Sequence, residues 1–175
     1  MKSRILLSAA IAMIGFGAMA QLKIGYTNVE YVLSLMPEAK QIESELANYE
    51  KQLGTQLQAK YADYQAKVGA YQQNAATLTD VVRADKEKEI TDLQASIQEF
   101  EQNAQNSLIG KRDQLLAPAF EKIGVAIEQI SKENGYTHVF NMTAGGQSIL
   151  LYAREEDNVS NLVLKKLGIN PPAGN

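Results

Sequence analysis

The sequence predicts a mainly α protein in which a long antiparallel helical hairpin, a coiled-coil-like arm, is inserted in a small β-rich oligomerisation body. Three observations predict it. Residues 37–134 contain almost nothing but helix formers and carry apolar residues at steps of three and four, the seam of an amphipathic helix packed on a neighbour. That pattern gives way around residues 74–80, where Asn, Ala, Thr and Asp gather. Strand-like alternation occurs only on either side of the helical region, so its two ends must come together to make one sheet-plus-helix body.

Residues 1–20 read as a cleavable secretory signal peptide. Lys2 and Arg4 form a basic start, an apolar stretch follows, and Ala18-Met19-Ala20 has the small-x-small form of a cleavage site. The apolar run is shorter than the roughly 20 residues that span a bilayer, and no later run is longer. The mature chain is therefore expected to begin at Gln21, to be exported, and to have no stable membrane insertion. Loss of Lys2 and Arg4 leaves 17 − 2 = 15 Lys+Arg against 20 Asp+Glu, a net charge near −5. That balance gives no reason to expect a nucleic-acid partner, because phosphate binding rests on basic patches. With no cysteine in the chain, stability must come from packing or assembly rather than disulfides.

The elements follow in order. Leu22-Lys23-Ile24-Gly25-Tyr26 alternates like a short strand, and Thr27-Asn28-Val29-Glu30 has the spacing of a capping box before a short helix with Val32, Leu33 and Leu35. Met36-Pro37 breaks that helix, and Pro37 suits the first position of the next. The outgoing stripe runs Ile42, Leu46, Tyr49, Leu53, Leu57, Tyr61, Tyr64, Val68, Tyr71, Ala75. Its three successive four-residue steps from Tyr49 to Tyr61 act as a stutter. The returning stripe carries Ile90, Leu93, Ile97, Phe100, Ala104 and Leu108, then Leu116, Phe120, Ile123, Ile127 and Ile130. Gly135 should cap the long helix. Residues 136–142 and 148–153 read as two strands joined by a Gly145-Gly146 turn. Asp157-Asn158-Val159-Ser160 then opens a short helix that Gly168 stops. The expected division is 1–20 signal peptide, 21–36 with 135–168 the body, 37–134 the arm, and 169–175 a disordered tail. So small a body, without disulfides, needs oligomerisation to be stable.

No spacing in the sequence suggests a nucleophile with its base, a cofactor or a metal centre, so no enzyme activity is expected. His138, the only histidine, falls on a strand, and Gly145-Gly146 lacks the lysine of a phosphate-binding loop. The alternating charges of Asp85-Lys86-Glu87-Lys88-Glu89 read as a solvated helix face. Gly54, Gly69 and Pro118 are hinge candidates, since each weakens a helix interior. The competing reading of the glycines is close packing or tolerated drift. Ala59, Ala62, Ala66 and Ala70 lie on roughly the opposite face to the stripe and are candidates for a weakly apolar cavity lining. Ile24, Tyr26, Val139, Phe140, Ile149 and Leu151 are candidates for the oligomerisation body.

The order of these pieces resembles the Skp/OmpH-like family of periplasmic outer-membrane-protein chaperones over essentially the whole mature chain. The likeness lies in Ile24-Gly25-Tyr26 leading to Met36-Pro37-Glu38-Ala39, in Leu116-Ala117-Pro118 before Ile123 and Ile127, and in Gly135-Tyr136 leading to Val139. It continues through Ile149-Leu150 and Tyr152 to Asp157-Asn158-Val159-Ser160 and Val163-Leu164. The resemblance implies a homotrimer with a shared β-rich core, whose arms enclose a cavity. It also implies an ATP-independent holdase in the periplasm with unfolded outer-membrane β-barrel proteins as partners. The best-known members have strongly basic arms, whereas this mature chain is acidic. No lipopolysaccharide-binding residues are carried over, and Arg83, Lys86, Lys88, Lys111 and Arg112 match no motif for it. The alternative reading is an exported coiled-coil structural or adaptor protein of the cell envelope.

Overall fold

The computed structural model describes residues 22–172. The expected signal peptide and the last residues of the tail, 173–175, lie outside them. The described chain is mainly helical, in the order β1 (Ile24–Thr27), α1 (Val29–Leu35), α2 (Pro37–Asn74), α3 (Asp80–Asn134), β2 (His138–Asn141), β3 (Thr143–Ala144), β4 (Gln147–Ser148), a 3-10 turn (Glu155–Asp157) and α4 (Ser160–Lys166). It divides into two compact units: Leu33–Gly124, and the described residues up to Val32 together with those from Val125 onward.

In the first unit α2 starts at Pro37, where a missing N–H costs nothing, with Met36 extended at its N-cap. It runs 38 residues, roughly 57 Å at ~1.5 Å per residue. The two helices are antiparallel, as their cross-links make plain. Glu38 pairs with Lys122, Glu45 with Lys111, Tyr61 with Glu101, Lys67 with Glu89, and Tyr71 with Glu87, one partner rising in number as the other falls. Ile42 and Ile97 are fully packed in the seam, and most of the stripe is half-buried. Beyond residue 116 the seam departs from the expected one. Ala119 is buried and Phe120 is 43% exposed, because Ala119 falls in helical phase with Ile123, Ala126 and Ile130 whereas Phe120 is turned about 100° away. Helix α3 continues without interruption through Pro118. Pro118 and Gln114, whose carbonyl loses its N–H partner there, are both exposed, so water can satisfy that oxygen.

In the second unit β1 lies between two partners. It pairs in parallel with β2, Ile24 opposite His138 through Thr27 opposite Asn141. On its other edge the Val159 N–H donates to the Tyr26 carbonyl at 2.8 Å, beside a parallel bridge from Tyr26 to Asn158. The core beneath consists of Tyr26, Val32, Ala126, Ile130, Val159, Val163 and Leu164, all buried. Two helix ends use the same device. Gly135 and Gly168 adopt positive φ (69° and 77°), and the following residues, Tyr136 and Ile169, donate back to Ser131 and Leu164. Thus the first residue of the expected tail closes α4. Lys23 sits at the C-terminal end of α3, its Nζ 2.8 Å from the Asn134 carbonyl and 4.2 Å from the Tyr136 ring centre.

Two local expectations are corrected. The capping box at residues 27–30 does not form. Asn28 caps α1 instead, accepting the Tyr31 N–H at 2.9 Å, while the Thr27 hydroxyl is buried against Ser160 Oγ at 3.1 Å and Glu30 accepts from the Gly146 N–H. The second strand, expected at residues 148–153, is confined to Gln147–Ser148. Its short hairpin with β3 turns through Gly145 and Gly146, both at positive φ. The Met142 carbonyl then accepts both Ile149 and Leu150 N–H groups, which ends the ladder, and the chain leaves the sheet.

Candidate functional site

Each unit carries its own candidate surface. On the body, Ile24, Tyr26, Phe140, Leu150 and Tyr152 line one concavity of about 290 Å³. Tyr26 belongs to the chain's own core, with its hydroxyl 3.4 Å from Glu155; burial there, and then the Glu155 carboxylate, push that phenol above its ordinary pKa. Val139 is half-buried, and Ile24, Phe140 and Ile149 are exposed. Leu151 and Tyr152 are 93% and 84% exposed, in an extended stretch outside any strand. Tyr152 was not among the residues expected at this surface. A Leu-Tyr pair in a predicted strand gives no sign of which face will be left open. Apolar side chains so fully in water and grouped on one surface mark it as a candidate interaction site.

On the arm, Ala59, Ala62, Ala66 and Ala70 are all exposed along α2. Ala70 also borders a small depression with Tyr71, Leu78 and Ile90 near the turn of the hairpin. There Lys67 and Lys86 both bond the Glu89 carboxylate, and the hydrogen bond from Lys67, seconded by that from Lys86, holds Glu89 down to about 2. Gly54 and Gly69 of the arm face open space within this chain. A Cβ added at Gly54 or Gly69 would meet nothing within 4 Å. Gly25 in β1 is the opposite case, since its Cβ would stand 3.0 Å from both the Tyr136 ring and Val159 Cγ1. His138 is exposed on β2, stacked on Phe140 at 6.2 Å between ring centres. Among the described residues no group of three or more His, Asp or Glu side chains is placed to hold a metal ion. Among them, too, no helix is long and apolar enough to cross a membrane.

A family model described as outer membrane protein (OmpH-like) matches residues 23–167, which take in both units. The chain belongs to the OmpH-like family. A relative named chaperone protein Skp, from Photorhabdus laumondii, is 26% identical over 155 residues, covering 86% of this chain and 88% of its own. A protein of the same name from Photorhabdus luminescens is likewise 26% identical over 155 residues. A solved OmpH-like structure from Caulobacter crescentus shares the fold at a TM-score of 0.68, over 87% of this chain and 89% of its own, with 10% identity. The OmpH-like match begins at Lys23 and ends at Leu167, so β1 and α4, remote in sequence and packed together in one body, both belong to the family pattern.

Proposed function

We propose that this OmpH-like chain is an ATP-independent periplasmic holdase. It would work as a homotrimer that keeps unfolded outer-membrane β-barrel proteins soluble between its arms. Membership of a family whose relatives are named chaperones supports the class. The observation that carries the finer reading is the outward face of α2. Ala59, Ala62, Ala66 and Ala70 offer small, weakly apolar contacts with no deep pocket among them, suited to many weak contacts whose sum is strong and whose individual release is easy. The exposed apolar group at Ile24, Phe140, Ile149, Leu151 and Tyr152 is the proposed contact between protomers, and Leu151 and Tyr152 add main chain free to pair with a neighbour's. Gly54 and Gly69, unneeded for packing, fit arms that bend to clients of different size.

The test is dilution of a urea-unfolded outer-membrane β-barrel into the mature protein, with particle mass measured by light scattering. A discrete soluble complex of three copies with one client is expected. A barrel that aggregates as it does alone refutes the holdase, and leaves the envelope strut, which would bind one folded partner through a fixed patch.

A further inference from the structure

Midway along the hairpin the seam between α2 and α3 is not filled. Leu53, Gly54 and Leu57 on one helix and Phe100, Ala104 and Leu108 on the other line an open groove of about 460 Å³. Its cause can be read in the chain. Each four-residue step from Tyr49 to Tyr61 overshoots a full turn by about 40°, so the stripe rotates out of the seam. Tyr61 ends 41% exposed, with its hydroxyl 2.8 Å from Glu101 Oε1. Gly54 then supplies no side chain where the seam has opened, and the space above its Cα is empty.

Two carboxylates rim this apolar floor, Glu50 from α2 and Glu101 from α3. Neither forms an ion pair among the described residues, whereas Glu38, Glu45 and Glu89, elsewhere along the hairpin, are each paired with a lysine. Lys60 stands at the tip-ward end of the floor, 5.6 Å from the Phe100 ring centre and bonded to Ser96. An apolar slot with two unneutralised carboxylates at its edge is complementary to one kind of occupant: a bulky apolar side chain with a basic residue beside it.

We propose that this groove is a client subsite, which takes an aromatic or leucine side chain of an unfolded segment flanked by Lys or Arg. It rests on the holdase reading and deepens it, assigning the arm a chemical preference that the smooth alanine face does not have. The apolar floor supplies the contact, and Glu50 and Glu101 select the neighbouring positive charge.

The chain contains no tryptophan, so a peptide with a single one reports its own binding. The probe is an acetylated, amidated Gly-Ser-Lys-Trp-Lys-Ser-Gly titrated with the mature protein. A blue shift of its emission is expected, and the version with Glu in place of both Lys should bind about tenfold more weakly. Gly54→Phe, whose Cβ meets nothing within 4 Å, places a ring over the groove and should weaken the Lys peptide about tenfold, as loss of a buried ring's contacts implies. Glu50→Gln with Glu101→Gln, which keeps an acceptor for Tyr61, should leave the two peptides bound alike. Unchanged binding by Gly54→Phe overturns the subsite, as does equal affinity of the wild type for both peptides. A change of particle mass in Gly54→Phe, with peptide binding intact, overturns it in favour of a second copy in the groove. Aggregation of the unfolded barrel is measured on the same samples. Should wild type fail to suppress it, the holdase reading falls whatever the peptide does, while the titration still decides the groove.

Discussion

One kind of substitution, glycine to alanine, should act with opposite sign at two places in this chain. At Gly25 the new Cβ would stand 3.0 Å from Tyr136 Cε1 and Val159 Cγ1, inside ordinary contact distance. Val159 is fully buried, and its N–H is bonded to Tyr26, so it cannot step back without stretching β1's edge. Overpacking of this kind costs about 1–3 kcal/mol, and the reduced freedom of the unfolded chain returns about 0.4–1. Gly25→Ala should therefore destabilise by about 0.5–2 kcal/mol. At Gly54 and Gly69 nothing lies within 4 Å of a new Cβ, so alanine should gain its helix propensity, about 1 kcal/mol at each. Urea unfolding followed by far-UV circular dichroism measures both. Val159→Ala should cost less in the Gly25→Ala background than alone, by about 0.5 kcal/mol or more, because it removes one clashing methyl. A Gly25→Ala variant as stable as wild type, or additive with Val159→Ala, refutes the close approach as the reason for the glycine. A loss of stability in Gly54→Ala with Gly69→Ala would show that those glycines serve a packing role after all.

Further expectations concern assembly, flexibility, buried polarity and pH. Leu151→Asp with Tyr152→Ser should shift particle mass toward the monomer in light scattering; an unchanged mass places the protomer contact elsewhere. The Gly54→Ala, Gly69→Ala protein should hold small unfolded barrels but fewer large ones, and undiminished capacity for large clients removes the flexibility role. Ser160→Ala deprives the buried Thr27 hydroxyl and the Asn28 N–H of their partner and should cost about 1–3 kcal/mol in urea unfolding, whereas Ser160→Thr should cost less. Glu89, held at about 2 against an ordinary 4.5, contributes stability that is fully present above the ordinary value and is lost as pH falls toward about 2. The thermal midpoint of wild type should therefore fall across that acid window more than that of Glu89→Gln, and the Glu89 carboxyl resonance should titrate at its lower end.

The helical hairpin was legible in the sequence because its signals are local and repeated. Pro37 starts α2, the residues from Asn74 to Asp80 make the turn, Gly135 and Gly168 end helices, and each rests on a backbone preference that acts within a few residues. The glycine-glycine turn was legible for the same reason. What failed was partner choice. Thr27 had the spacing to cap α1, yet Ser160, far along the chain, takes its hydroxyl and Asn28 caps in its place. Residues 148–153 had the alternation of a strand, but β2 finds its pairing on β1 across the whole inserted hairpin, and the stretch is left outside the sheet. The candidate groove was half visible. The stutter and Gly54 were in the stripe, but that Phe100, Glu50 and Glu101 converge on the same opening depends on how two helices are set against each other.

By itself, then, the chain determined where helices begin and end and which face of each is apolar, because periodicity and caps are set by neighbours a turn away. Only the tertiary structure decided that Ala119 rather than Phe120 enters the seam and that Gly25 has no room for a side chain. It also decided that Leu151 and Tyr152 remain in water. These outcomes depend on the relative setting of elements distant in sequence, where a rotation of one residue along a helix, about 100°, exchanges a buried side chain for an exposed one.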